Sequence, residues 1–151
     1  MKNLLIPPPI QGAFWGLIMW LIPNYMPHFN HYFIGQKLLA CSFIGLGLLF
    51  DIISVITFIK QQTTINPINI DRTSELVTNG LYQISRNPMY LGLALVLIGW
   101  AILLGNPLNL IPFVLFIFII TTLQIKPEES VLESKFGDTY DNYRKHVRRW
   151  I

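Results

Sequence analysis

Four apolar stretches dominate the chain: Ile10 to Ile22, Leu38 to Ile59, Tyr90 to Leu104 and Leu108 to Ile125. A helix needs about 20 residues to cross roughly 30 Å of hydrocarbon, a length that the second and fourth reach unaided. The first reaches it only by borrowing Leu4 to Ile6 across Pro7, Pro8 and Pro9, or Asn24 to Met26 across Pro23, and the third is short. The fourth contains LIPFVLFIFIITT, which has no polar stripe to turn towards water. The pattern therefore predicts an all-α integral membrane protein with about four transmembrane helices. Gly105-Asn106-Pro107 leaves room only for a tight reversal, so the third and fourth helices should form an antiparallel hairpin.

After the last apolar stretch the period changes. Leu132, Phe136, Tyr140, Tyr143 and Val147 recur at three- and four-residue spacing, while Lys135, Arg144, Lys145 and Arg148 fall opposite them. This reads as an amphipathic helical tail with its aromatic side inward and its basic side towards lipid headgroups. Gly137-Asp138 marks the end of one helix and the start of the next.

Composition agrees with a membrane protein: 151 residues, 52% hydrophobic and 13% charged, with a mean hydropathy of +0.48. The whole chain, 1–151, reads as a single membrane domain. With four spans, ten of the eleven Lys and Arg residues lie on one side and only Lys37 lies on the other. The positive-inside rule places both termini and the Lys60 to Asn87 loop in the cytoplasm. The net charge of +3 then reflects topology and membrane lipids, and no aromatic-rich basic surface points to nucleic acid. Three prolines after Leu4 to Ile6, with no small-x-small site following, make a cleaved leader an unsuitable reading of the N-terminus.

Several residues have ordinary structural readings. Glycine pairs at Gly12 and Gly16, Gly45 and Gly47, and Gly92 and Gly99 would let helices approach closely. Cys41 stands alone in an apolar span and reads as a small hydrophobe. His28 and His31 lack a Cys or acidic neighbour in sequence, so no metal site is expected. Asp51 interrupts GLGLLFDIISVITF and needs a partner or a polar cavity, which the sequence does not identify.

Two polar blocks remain, Thr73 to Tyr90 and Lys126 to Trp150, and the hairpin brings them to the same end of the bundle. The first contains SRNPMYLG, and the second opens with Pro127-Glu128-Glu129, where the fourth span leaves the bilayer. Tyr82 and Tyr90 offer aromatic faces to a cation. Glu128 offers a hydrogen-bond acceptor, and Pro88 fixes the backbone between Asn87 and Tyr90. Glu129 reads as facing headgroups or capping the tail helix.

The succession N-G-L-Y, R-N-P-M-Y-L-G, an apolar hairpin and E-E-x-x-L-x-x-x-F-G-x-x-Y-x-x-Y resembles the C-terminal catalytic region of the isoprenylcysteine carboxyl methyltransferase family. That family is related to the phospholipid N-methyltransferases. The resemblance covers residues 73–150. It implies an integral-membrane enzyme that uses S-adenosyl-L-methionine to methylate a lipophilic or prenylated substrate, by carboxyl O-methylation or lipid amine N-methylation. By the same resemblance Ser74, Glu75, Leu76 and Val77 run along the cofactor, and Tyr82, Asn87, Pro88, Met89, Tyr90 and Glu128 contact it. Arg86 and Glu128 are the candidates nearest the chemistry, and Gln124 and Arg86 those for the substrate. Two positions depart from the family pattern: Asn87 replaces a histidine, and Gln124 replaces an arginine that would clamp a substrate carboxylate. R-x-P-x-Y also occurs in NADPH-dependent membrane steroid-type reductases, and a non-catalytic scaffold or transporter would need no site at all.

Overall fold

The computed structural model describes residues 7–60 and 76–151. Among them there are only helices, turns and connecting segments, with no strand. Helix α1 runs from Pro8 to Tyr25. Pro8 and Pro9 occupy the first turn, where a missing N–H leaves no helical bond unmade. The helix thus gains length forwards, through Pro23, and not backwards across the proline run.

Helix α2, Gln36–Lys60, follows a short loop ending at Gly35, whose φ of 86° is the left-handed conformation that glycine adopts without strain. Helix α3, Pro88–Leu104, starts on a proline and stops at Gly105 in the left-handed region, φ 69°. The expected reversal follows. Asn106 Oδ1 accepts from Leu108 N, and its Nδ2 donates to Met26 O and Asn30 Oδ1, tying the hairpin to the α1–α2 loop. Gln36 reaches the same corner and donates to Ile102 O at 2.6 Å.

The fourth helical rod is longer than the fourth apolar stretch. Helix α4, Leu110–Ile120, passes through a π-helical turn at Thr121–Ile125 directly into α5, Lys126–Phe136. Pro127 supplies a reason. It has no N–H to donate and would crowd the carbonyl of Leu123, and the wider turn, in which Lys126 N reaches back to Thr121 O, relieves that conflict. The expected break at Gly137 is present, with φ 49°, and α6 spans Asp138–His146. Its first turn carries Asp138 and Asp141 and its last Arg144, Lys145 and His146, each sign at the end of the helix dipole that stabilises it.

The α3 helix is central. It packs against α2 on one side and against α1 and α4 on the other, over a core of Trp15, Met19, Tyr90, Ala94, Leu97, Ala101, Phe116, Ile120 and Ile125. The α2–α3 approach depends on missing side chains. A Cβ on Gly47 would lie 2.5 Å from Gly92 O, and one on Gly99 would lie 2.8 Å from Ala40 O. The slot left at Gly92 is filled by the Asp51 carboxylate. A Cβ on Gly12 would meet Leu93, and Gly16 O accepts from Trp100 Nε1, whereas a Cβ on Gly45 would meet open space.

Outside this core the surfaces of α2 and α4 are apolar. Leu38, Leu46, Leu49 and Ile52 of α2, and Leu110, Ile111, Val114 and Phe118 of α4, are exposed, an arrangement suited to hydrocarbon. Two helical segments, Gln36–Thr57 and Pro107–Phe136, are long and apolar enough to cross a membrane. The other two expected spans are shorter, with 18 residues in α1 and 17 in α3. Cys41 is not packed inside but exposed on α2.

Candidate active site

The polar blocks meet where the N-terminus of α3 faces the start of α5. Tyr90 lies in the first turn of α3, and its hydroxyl donates to Glu128 Oε1 at 2.6 Å. One turn before Glu128, Gln124 is buried at 2% exposure and lies beside both the Tyr90 hydroxyl and the Glu128 carboxylate. The π-helical turn contains Gln124, so the local widening that accommodates Pro127 also belongs to the part of the rod that faces this cluster. Gln124 Oε1 accepts from Gln11 Nε2 of α1, while its own Nε2 is buried without a completed hydrogen bond. The nearby Tyr82 is buried on the turn Gly80–Gln83, and the buried Ser54 of α2 faces its phenol. Burial pushes the Tyr82 phenol well above its ordinary value of 10, so it stays neutral at physiological pH. Four helices and one turn thus contribute to a single group: Tyr82, Tyr90, Gln124 and Ser54 are buried, and Gln11 and Glu128 are half-buried.

A second, adjacent cluster is ionic. Glu129 is 8% exposed and takes two guanidinium groups: Arg86 Nη2 at 3.1 Å and Arg149, whose Nη2 and Nε lie 2.7 and 3.0 Å from the two carboxylate oxygens. Arg86 also donates to Tyr140 Oη at 3.3 Å. The fork from Arg149 holds its charge more firmly, raising its pKa. Around these pairs, residues 148–149 are fastened to the loop preceding α3. Arg86 N donates to Arg148 O at 3.0 Å, and Ser85 Oγ and Asn87 Nδ2 both donate to Arg149 O. Tyr143 Oη donates to Tyr82 O at 2.6 Å.

The residues singled out in the sequence therefore divide. Tyr82, Tyr90, Gln124 and Glu128 come together. Val77 is buried and Leu76 half-buried on the segment leading to Tyr82. Pro88 is buried as the first residue of α3, followed by a half-buried Met89. Arg86 pairs with Glu129, not with Gln124, and the Asn87 amide is committed to the C-terminal segment. Ser74 and Glu75 lie outside the described residues.

Glu129 is neither a headgroup contact nor a simple cap, because it is buried under two arginines. Its place beside Glu128, with Arg148-Arg149 near the end of the chain, was the available signal, but a count of basic residues absorbs Arg149 into topology. Gln11 was missed because a single polar residue in an apolar stretch has no partner visible in sequence. A shallow cavity of about 540 Å³ opens beside this region, lined by Thr78, Asp138, Thr139, Asn142, Tyr143 and His146.

Among known proteins, the chain matches the phospholipid methyltransferase family over residues 36–139. It is 40% identical over 72 residues to the protein-S-isoprenylcysteine O-methyltransferase of Schizosaccharomyces pombe, covering 48% of this chain and 30% of that one. Over 118 residues it is 30% identical to protein-S-isoprenylcysteine O-methyltransferase B of Arabidopsis thaliana, covering 78% of this chain and 59% of the relative. A segment of 63 residues, 42% of the chain, is 49% identical to the whole of a Haemophilus influenzae protein. The chain thus spans less than two thirds of the two isoprenylcysteine methyltransferases.

Proposed function

The chain belongs to the phospholipid methyltransferase family, and from that premise we propose that it is an integral-membrane methyltransferase. It uses S-adenosyl-L-methionine to methylate a lipophilic acceptor at the cytosolic edge of the bilayer. The observation that carries this reading is the part-buried Tyr90–Glu128 hydrogen bond, with Gln124 and Tyr82 beside it. The residues fit the cofactor: a carboxylate to accept from ribose hydroxyls or an ammonium group, two phenol rings whose faces attract a cation, and an amide nitrogen with hydrogen-bonding capacity unused. When bound, S-adenosylmethionine supplies a methyl group activated by its sulfonium.

The protein's own share is to bind, orient and exclude water. Tyr90 fixes the Glu128 carboxylate, so its free lone pairs point in set directions. Trp15, Met19 and Ile125 keep the inner side of the site apolar. Alignment and dryness of this kind can contribute up to about 7–11 kcal/mol in favourable intramolecular models. Direct displacement at a methyl carbon requires no nucleophilic side chain. Gln124 supports acceptor binding in this reading, and its neutral amide can donate to a carboxylate or accept from an amine. Arg86, held by Glu129, supports the site's structure more directly than it supports acceptor binding. The topology belongs to the same proposal: four spans, with both termini and the site cytosolic, since the positive charges gather at this end.

Purified protein in detergent, given labelled S-adenosylmethionine with either a prenylated cysteine analogue or an aminolipid, should bind the cofactor and transfer label to one acceptor class. Binding of NADPH in place of S-adenosylmethionine would overturn the reading in favour of a reductase.

A further inference from the structure

The fastening of residues 148–149 over the loop before α3 is more extensive than a chain terminus requires. That loop, Tyr82 to Asn87, carries one site residue, Tyr82, and leads within three residues to another, Tyr90. It makes four hydrogen bonds with the C-terminal region: it donates one to Arg148 O and two to Arg149 O, and Tyr82 O accepts one from Tyr143 Oη. The ion pairs add a second layer, because Glu129 on α5 holds Arg86 of the loop and Arg149 of the C-terminal segment in one place. Glu129 also follows Glu128 directly. A shift of the carboxylate that organises the arginines would therefore shift the backbone that presents Glu128 to Tyr90. Val147 is buried and Trp150 packs on the main core, so the segment is anchored on both sides of the fork.

Building on the methyltransferase reading, we infer that Arg149 and Glu129 are positioning residues. Their bidentate pair clasps the C-terminal segment onto the Tyr82–Asn87 loop and so sets the distance between the Tyr82 and Tyr90–Glu128 halves of the cofactor site. Neither side chain needs to touch cofactor or acceptor. The planar fork of arginine matters here, since a lysine would keep the charge and lose the second bond.

Ser85 is fully buried beneath the C-terminal segment and gives a direct readout of release. In a Cys41→Ser background, Ser85→Cys provides one thiol whose labelling rate under native conditions reports opening of the clasp, independently of catalysis. Arg149→Ala should raise that rate by about tenfold to a hundredfold, the scale set by losing a charged hydrogen-bonding partner, and Arg149→Lys should raise it less. In the Ser85-containing protein the same two substitutions should raise the Kd for S-adenosylmethionine in the same order. Arg144→Ala, which removes exposed pairs to Glu133 and Asp141, should change neither. Should Arg149→Ala fail to fold, Arg149→Lys and Glu129→Gln carry the same comparison. Unchanged labelling in these variants would overturn the clasp. Faster labelling with unaltered cofactor affinity would overturn its positioning role. If the unsubstituted protein binds no S-adenosylmethionine at all, the methyltransferase reading fails on its own, and the positioning role fails with it, whatever the labelling shows.

Discussion

The hydrogen bond from Tyr90 to Glu128 can be removed with almost no change of shape, which makes it the sharpest test of the proposed site. Tyr90→Phe deletes one oxygen and leaves the ring in the core; Glu128→Gln keeps the size and an acceptor oxygen but abolishes the carboxylate. At 2.6 Å the bond is short. A hydrogen bond contributes about 0.5–1.5 kcal/mol between neutral groups and about 1.5–3 kcal/mol to an ionised one, so orientation lost in Tyr90→Phe should weaken S-adenosylmethionine binding by roughly 2- to 150-fold. If Tyr90 acts by orienting Glu128, the double variant should bind no worse than Glu128→Gln alone, and the coupling energy should be close to the whole Tyr90 effect. Equilibrium binding of labelled cofactor to the four proteins in detergent measures the cycle, with thermal unfolding as a control for folding. Additive losses would mean that Tyr90 and Glu128 act separately. Undiminished affinity in both single variants would remove the pair from the cofactor site.

The α2–α3 contact makes a prediction about stability: Gly47→Ala places a Cβ 2.5 Å from Gly92 O and 2.9 Å from Val96 N, while two residues earlier Gly45→Ala meets nothing. Thermal or denaturant unfolding should show Gly47→Ala destabilised by about 1–3 kcal/mol and Gly45→Ala unaffected; equal values would refute the close packing of these helices. Burial raises the phenols of Tyr82 and Tyr143 above their ordinary value of 10. Their protons are held more tightly in the folded chain than in the unfolded one, so stability present below pH 10 should fall as pH rises above it, and Phe at either position should flatten that limb of an unfolding-versus-pH curve. Cysteine labelling in oriented vesicles should place residues near Asn79 and the C-terminus in the cytosol and Pro27 to Gly35 outside. Opposite accessibility of Asn79 and the C-terminus would contradict the topology.

The helices were legible for the reasons that make membrane helices legible in general. Long runs without charge need internal hydrogen bonding, and glycine and proline at Gly105-Asn106-Pro107 leave little choice about the reversal. Helix ends were less so. Nothing in the hydropathy of Thr121 to Ile125 distinguishes a π-helical turn, and an apolar stretch ending at Ile125 looks like the end of a helix even though the backbone continues to Phe136. The glycines were recognisable as a class but not individually. Gly45 and Gly47 are alike in sequence, and only the position of α3 gives one of them a contact.

The site divides along a similar line. Tyr90, Gln124 and Glu128 sit on two helices joined by a tight hairpin, so their meeting needs only the hairpin and the turn of a helix. Arg86 and Asn87 belong to the same short motif, yet their partners come from residues 129 to 149 through a tail whose path depends on the break at Gly137 and the burial of Tyr140. Sequence gives an arginine beside a membrane two ordinary readings, topology and substrate. A third, service as one half of a buried ion pair, depends on where a distant carboxylate falls. Arg86 takes this third part because Glu129 is turned into the protein, while its neighbour Glu128 is taken by Tyr90. Two adjacent glutamates in the first turn of one helix lie about 100° apart around its axis. That separation gives one of them to the proposed cofactor site and the other to the structure that holds the site in shape.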